Sequence, residues 1–140
     1  MVGMGILQPV VALAAWTMVM WAWMYGTRIP AMMAAKLQPD ELSTPTAINA
    51  LLPARVQWKA HNFTHLHEAP TVFYAIALVL AITGHGDGTN AVLGWAYVAA
   101  RIVHSLIQAT VNRVTARFAV FVLSSLILLL LVVEAAMALL

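Results

Sequence analysis

Apolar residues fall into four long runs along this chain, separated by polar breaks. The runs cover residues 5–25, 69–83, 90–109 and 118–139, and a polar lead-in from about residue 57 precedes the second. About 20 apolar residues in a helix cross the hydrocarbon core of a bilayer. Only helices and closed barrels satisfy their own backbone there. The pattern predicts an all-α fold, an integral membrane four-helix bundle in a single domain over residues 1–140. Its helices are expected at about 5–26, 57–84, 89–111 and 115–139.

The breaks differ in length. Residues 27–56 hold Pro30, Pro39, Pro45 and Pro53 with Asp40, Glu41, Ser43 and Thr44, which predicts turns and short helical pieces. Ser43-Thr44-Pro45 suits the start of a short helix running through Ala47 to Leu52, with proline at its first position. Gly84-His85-Gly86-Asp87-Gly88-Thr89 reads as a tight turn of residues that tolerate positive φ, and a shorter connection lies around 112–115. Such short links make the second and third helices antiparallel neighbours, and likewise the third and fourth. No internal repeat is visible.

Two polar stripes cross this apolar background. At 100° per residue, Tyr97, Arg101, His104, Ser105, Gln108 and Asn112 share an arc of roughly 100° on the third helix. A wall facing lipid does not tolerate such a row, so this face is expected inside the bundle or against another subunit. Ahead of the second span, Arg55, Trp58, His61, Asn62, His65 and Glu68 cluster on one side of a helix, with His67 pointing away. Both stripes approach the same end of the bundle.

Composition and charge narrow the class. With 63% hydrophobic and 9% charged residues and a mean hydropathy of +0.89, the chain cannot be an ordinary soluble domain. Seven Lys and Arg are too few for a nucleic-acid surface, and without cysteine there is neither a disulfide nor a thiolate ligand. The cations are unevenly placed. Arg28, Lys36, Arg55 and Lys59 sit in or beside the first connection, Arg113 and Arg117 in the third, and none in the second or at the termini. The positive-inside rule puts the two basic connections in the cytoplasm and both termini outside it, as in a multi-pass protein of a bacterial inner membrane. The first span has no basic lead and no small-residue cleavage pattern, so it reads as a retained helix rather than a secretory signal.

Arg101 lies about 16 Å from Asn112 at 1.5 Å per residue, near the middle of its span. A charge at membrane depth marks a bundle interior, a cavity or a ligand site. Two readings are open: the stripe glues helices together, with Arg101 held by carbonyls or by Glu68, or it lines a pocket. The i, i+4, i+7 spacing of His61, His65 and Glu68 is that of metal ligands, but the fuller motif and a fourth ligand are missing, so no metal is expected and hydrogen bonding to an anionic or amide-rich ligand is the use assigned. Arg101 and Glu68 could pair only through long side chains or a tilted helix. Glu134, one turn from its helix end, reads as a snorkelling or contact residue.

The segment from Lys59 through His61, Asn62, His65, Glu68 and Pro70 to Phe73, followed by Arg101, His104 and Ser105 and by Asn112, Arg113 and Arg117, resembles the MAPEG family, the membrane-associated proteins in eicosanoid and glutathione metabolism, in its bacterial branch. Order and spacing together carry the resemblance, over the second to fourth helices. It implies a homotrimer in membrane lipid, glutathione as co-substrate in pockets between subunits, and a lipophilic small-molecule substrate. It also implies Arg117 as the catalytic arginine beside the thiol, with Lys59, Asn62, His65, Glu68, Arg101, His104 and Gln108 in the binding set, to which Arg55 adds a cation for the carboxylates and His61 a hydrogen-bonding imidazole. Lys59 stands where the family's enzymes have arginine, Gln108 where they have a tyrosine, and Phe118 and Phe121 where they have hydroxyls. The expected function is a glutathione-dependent transferase or peroxidase acting on lipophilic electrophiles. The alternative is a non-catalytic protein of the same fold that binds a lipid or small anionic ligand.

Overall fold

The computed structural model describes residues 1–140 and is built only of helices and turns. In chain order they are α1 (Leu7–Ala34), a 3₁₀ turn (Pro39–Leu42), α2 (Pro45–Leu51), α3 (Ala54–His65), α4 (Ala69–Ile82), α5 (Thr89–Thr110) and α6 (Val114–Leu139). Four spans are long and apolar enough to cross a membrane, with α3 and α4 together forming the second. The chain is an integral membrane four-helix bundle. α5 packs along α6 and also against α1 and α3, while α4 packs on α6. Leu13 and Met20 of α1, Phe73, Ala77 and Leu80 of α4, Tyr97 and Val98 of α5, and Leu131 of α6 form the apolar centre. Leu123, Leu126, Leu129 and Leu130 of α6 turn outward and are more than half exposed, as suits an apolar solvent.

Two helices depart from the sequence pattern. The first helix is expected to end near residue 26 with Pro30 in the connection, yet α1 continues through Gly26 and Pro30 for 28 residues. An interior proline costs about 3 kcal/mol, and packing of the second half of α1 along α3 offsets it. The helix is about 42 Å long at 1.5 Å per residue, so it projects well beyond a hydrocarbon core of about 30 Å. The connection that follows is correspondingly shorter than residues 27–56. Within it Thr44 caps α2, its Oγ1 accepting from the Ala47 N–H at 3.2 Å.

The second departure is a break in the helix expected over 57–84. It stops at His65 and restarts at Ala69, with Glu68 at φ −95°, ψ −104°. Pro70 is the cause: it has no N–H to give the Leu66 carbonyl, and its ring would collide with that carbonyl in a continuous helix. Proline is well placed in the first turn of α4. The His65 carbonyl then accepts from the Glu68 N–H at 3.2 Å, three residues on.

Both termini lie at the end of the bundle that carries the α4–α5 turn. The Gly3 N–H donates to the Ala81 carbonyl and the Ile6 N–H to the Gly86 carbonyl, each at 2.8 Å, and the Gly5 N–H donates to Asp87 Oδ1 at 2.7 Å. Gly3 and Gly86 face each other so closely that a Cβ on Gly86 would stand 2.2 Å from the Gly3 carbonyl oxygen. Glu134, near the end of α6, shares a cleft there with His85 and Asp87. Arg28, Arg55, Lys59, Arg113 and Arg117 occupy the other half of the bundle.

Candidate functional site

The polar stripe of α5 is turned inward within a single chain. Tyr97 and Ser105 are 0% exposed, Arg101 1%, Gln108 2% and His104 3%, so the row is interior, not lipid-facing. Phe73 of α4 stacks on the Tyr97 ring at 4.6 Å. Asn62, fully buried, donates from Nδ2 to Gln108 Oε1 at 3.0 Å and ties α3 to α5. Arg101 reaches the break between α3 and α4, where its Nη2 donates to the His65 carbonyl at 3.4 Å. No carboxylate meets it. Glu68 is instead paired with His65, Oε2 to Nδ1 at 3.0 Å, and stays largely exposed.

Much of this buried polarity is unmet. Arg101 Nε and Nη1, Tyr97 OH, His104 Nδ1, Ser105 Oγ and Asn62 Oδ1 have no hydrogen-bond partner. A buried polar group without a partner costs about 1–3 kcal/mol, and a charged one more, so five side chains in one region are expensive as pure scaffolding. They present several donors, one of them cationic, and therefore suit an anionic ligand or ordered water.

Beside this interior an open cleft of about 230 Å³ is lined by His65, His104, Val114, Arg117, Phe118 and Phe121. The two imidazoles meet edge to face at 5.9 Å, and His104 lies 6.4 Å from Phe121. Arg117 is steadied by Asn112, which ends α5 at a positive φ of 49° and accepts from Arg117 Nη1 at 2.8 Å on its Oδ1. Asparagine tolerates that left-handed conformation better than most residues. Val114, Arg117, Phe118 and Phe121 recur at i, i+3, i+4 and i+7, the spacing of one helix face; that periodicity was the available signal for the two phenylalanines as cleft residues.

The ten residues expected in the site therefore separate into three groups. His65, His104 and Arg117 share the cleft, with Glu68 at its edge through His65. Asn62, Arg101 and Gln108 lie in the interior behind them. Arg55, Lys59 and His61 stand apart. The Lys59 ammonium sits 5.5 Å from the centre of the Trp23 ring and donates to the Arg55 carbonyl at 2.8 Å, Arg55 is exposed, and His61 opens on a different cleft with Arg28. The single polar side expected for the stripe before the second span is thus split, because Asn62 turns into the bundle while His61 turns out of it.

The sequence model of the MAPEG family matches residues 6–137. The chain belongs to the MAPEG family. The match spans all four membrane helices, and the bundle it implies is the one described above. No curated protein and no solved structure matches the chain. Membership makes this a MAPEG membrane protein.

Proposed function

We propose that this MAPEG protein is a glutathione-dependent transferase or peroxidase acting on lipophilic electrophiles. One observation carries the reading: Arg117, His65 and His104 converge in an open cleft whose other wall is Val114, Phe118 and Phe121. A guanidinium beside a thiol favours the thiolate, which is the nucleophile. An imidazole at hydrogen-bond reach can take the thiol proton. The phenylalanine wall receives an apolar electrophile arriving from lipid. In the transferase step the thiolate sulfur forms a bond to an electrophilic carbon, and the leaving group departs with its electron pair.

Glutathione also brings two carboxylates and an ammonium group. Glu68, exposed at the cleft edge, suits the ammonium, while Arg101, buried behind His65 and His104 with two unmet groups on its guanidinium, suits a carboxylate only where one enters between those two imidazoles. Membership of the MAPEG family supports a homotrimer in which a neighbouring subunit completes the pocket. The cation distribution supports a bacterial inner-membrane orientation with both termini outside the cytoplasm. A reporter fused at Leu140 that is active only in the cytoplasm would reverse that orientation.

A second reading is favoured by a specific feature: no hydroxyl lines the cleft, whose α6 wall carries Phe118 and Phe121. A thiolate there gains no O–H donor, which suits a protein that binds a lipid or small anionic ligand without turnover. Calorimetric titration with glutathione, run beside a conjugation assay with a generic aryl halide, separates the two. Binding with turnover supports the enzyme, binding without turnover supports the second reading, and absence of binding removes glutathione from both.

A further inference from the structure

The two imidazoles of the Arg117 cleft differ in their surroundings, and the break between α3 and α4 makes the difference. Pro70 ends α3 at His65 and brings Glu68 back on that residue. The Glu68 N–H donates to the His65 carbonyl at 3.2 Å, and Glu68 Oε2 accepts from His65 Nδ1 at 3.0 Å. Arg101 Nη2 holds the same carbonyl from α5, at 3.4 Å. A ring that gives its Nδ1 hydrogen to a carboxylate keeps the lone pair of Nε2 free. The His65 side chain is 37% exposed, so a proton taken there has a way out to water. His104 has none of this. It is 3% exposed, its Nδ1 has no partner, and its charged neighbours are Arg101, one turn back on α5, and Arg117 across the cleft. An imidazolium at His104 would add a third positive charge with no anion among them, which is costly in a buried place. At His65 it would face the Glu68 carboxylate.

We propose that His65 is the general base for the thiol of glutathione, and that Glu68 is the positioning residue that fixes its tautomer and ring. This rests on the glutathione chemistry proposed above and adds which group takes the proton. The S–H bond breaks, its proton going to His65 Nε2 and its electron pair staying on sulfur beside Arg117. That pair forms the bond to the electrophilic carbon, the leaving group departs with its own pair, and the imidazolium passes its proton to water at the cleft mouth. Only Oε2 of Glu68 is engaged by His65, so Oε1 stays free for the glutathione ammonium. The charged and titratable groups facing His65 are Glu68 beside it, Arg101 and His104 from α5, and Arg117 from α6. His61 of α3 and Arg28 of α1 open on a different cleft.

The test mixes the full-length protein in detergent with glutathione and follows thiolate formation by stopped-flow ultraviolet absorbance. Conjugation of a generic aryl halide against pH and calorimetric affinity for glutathione are measured on the same preparations. His65→Gln, which cannot take a proton, is expected to slow thiolate formation and lower kcat/KM at neutral pH roughly a hundredfold, with affinity little changed. Its kcat/KM keeps rising with pH where the wild type levels off, because hydroxide replaces the base. His65→Asn gives the same losses, so a misfolded Gln variant leaves the test intact. Glu68→Gln slows thiolate formation roughly tenfold in the wild-type background and not at all once His65 is replaced, as expected of a residue acting through the imidazole. A loss of affinity alone, equal in both backgrounds, would make Glu68 an ammonium ligand only and overturn its positioning role. Wild-type turnover that His65→Gln keeps at full rate, with the pH change appearing in His104→Gln instead, would overturn the base alone. A wild type that forms no thiolate would remove the glutathione reading and this proposal with it.

Discussion

At the end of the bundle that carries the termini, backbone meets backbone: Gly3 and Ile6 donate to Ala81 and Gly86, and Asn90 Nδ2 closes the turn by donating to the His85 carbonyl at 2.9 Å. From the middle of the membrane to the basic end, side chains carry the polarity, and Tyr97, Arg101, His104, Ser105 and Asn62 keep unmet hydrogen-bonding atoms. Trp16 Nε1 is the one unmet atom outside that cluster. The first region has its hydrogen bonds made within the chain and little room for change. The second holds polarity that the chain alone does not satisfy. Such a division fits the function proposed above, in which one end secures the fold and the other receives a ligand.

The contrast can be broken at either end. The largest effect is expected from Gly86→Ala, whose Cβ would stand 2.2 Å from the Gly3 carbonyl oxygen and force the N-terminal segment off the turn. About 3 kcal/mol of stability should be lost through strain and two broken hydrogen bonds, with glutathione affinity unchanged; thermal unfolding in detergent reads the first and calorimetry the second. Next is Arg117→Leu. If its guanidinium holds a thiolate, kcat/KM for conjugation should fall about a hundredfold, or about 2.7 kcal/mol, while the unfolding temperature stays within a degree or two.

Asn62→Leu should cost about 2 kcal/mol, since it strands Gln108 in the interior. The pair Asn62→Leu with Gln108→Leu should recover most of that, and a double-mutant cycle measures the coupling. The smallest change is a gain. Lys36, just past the end of α1, is held at φ 56°, a left-handed conformation costly to a side chain and open to glycine. Lys36→Gly is expected to stabilise by up to about 1 kcal/mol; no rise in the unfolding temperature would count against the strain.

Period and run length made the four spans legible, and the inward face of α5 followed from the 100° arc of Tyr97, Arg101, His104, Ser105 and Gln108. What escaped was decided by tertiary context. Gly26 and Pro30 signal a helix end locally, and packing on α3 overrides them. Pro70 breaks the second span at 66–68, but the apolar run around it masks that effect, and the helix expected over 57–84 runs through it. That break also settles the partner of Arg101. A continuous helix would give the His65 carbonyl to the Ala69 N–H, whereas the interrupted one leaves it within reach of the guanidinium. Glu68, the alternative partner, is turned to His65. The split between His61 and Asn62 was illegible for a related reason: a stripe of polar residues spread over one side of a helix does not say which edge meets the bundle.

If Arg101 serves the proposed ligand rather than holding helices together, its loss separates binding from assembly. Arg101→Leu removes one long hydrogen bond and a desolvated charge, so the assembled protein should be as stable as the wild type or more so. Its affinity for glutathione should fall by about 1.5–3 kcal/mol, the worth of a charge-assisted hydrogen bond. Both quantities are to be measured on the same preparation, affinity by calorimetry and assembly by the detergent-resistant oligomer and its unfolding temperature. Weakened binding with intact assembly is the predicted result. Unchanged affinity with a collapsed oligomer would contradict it and leave Arg101 as a structural tie between α5 and the broken second span.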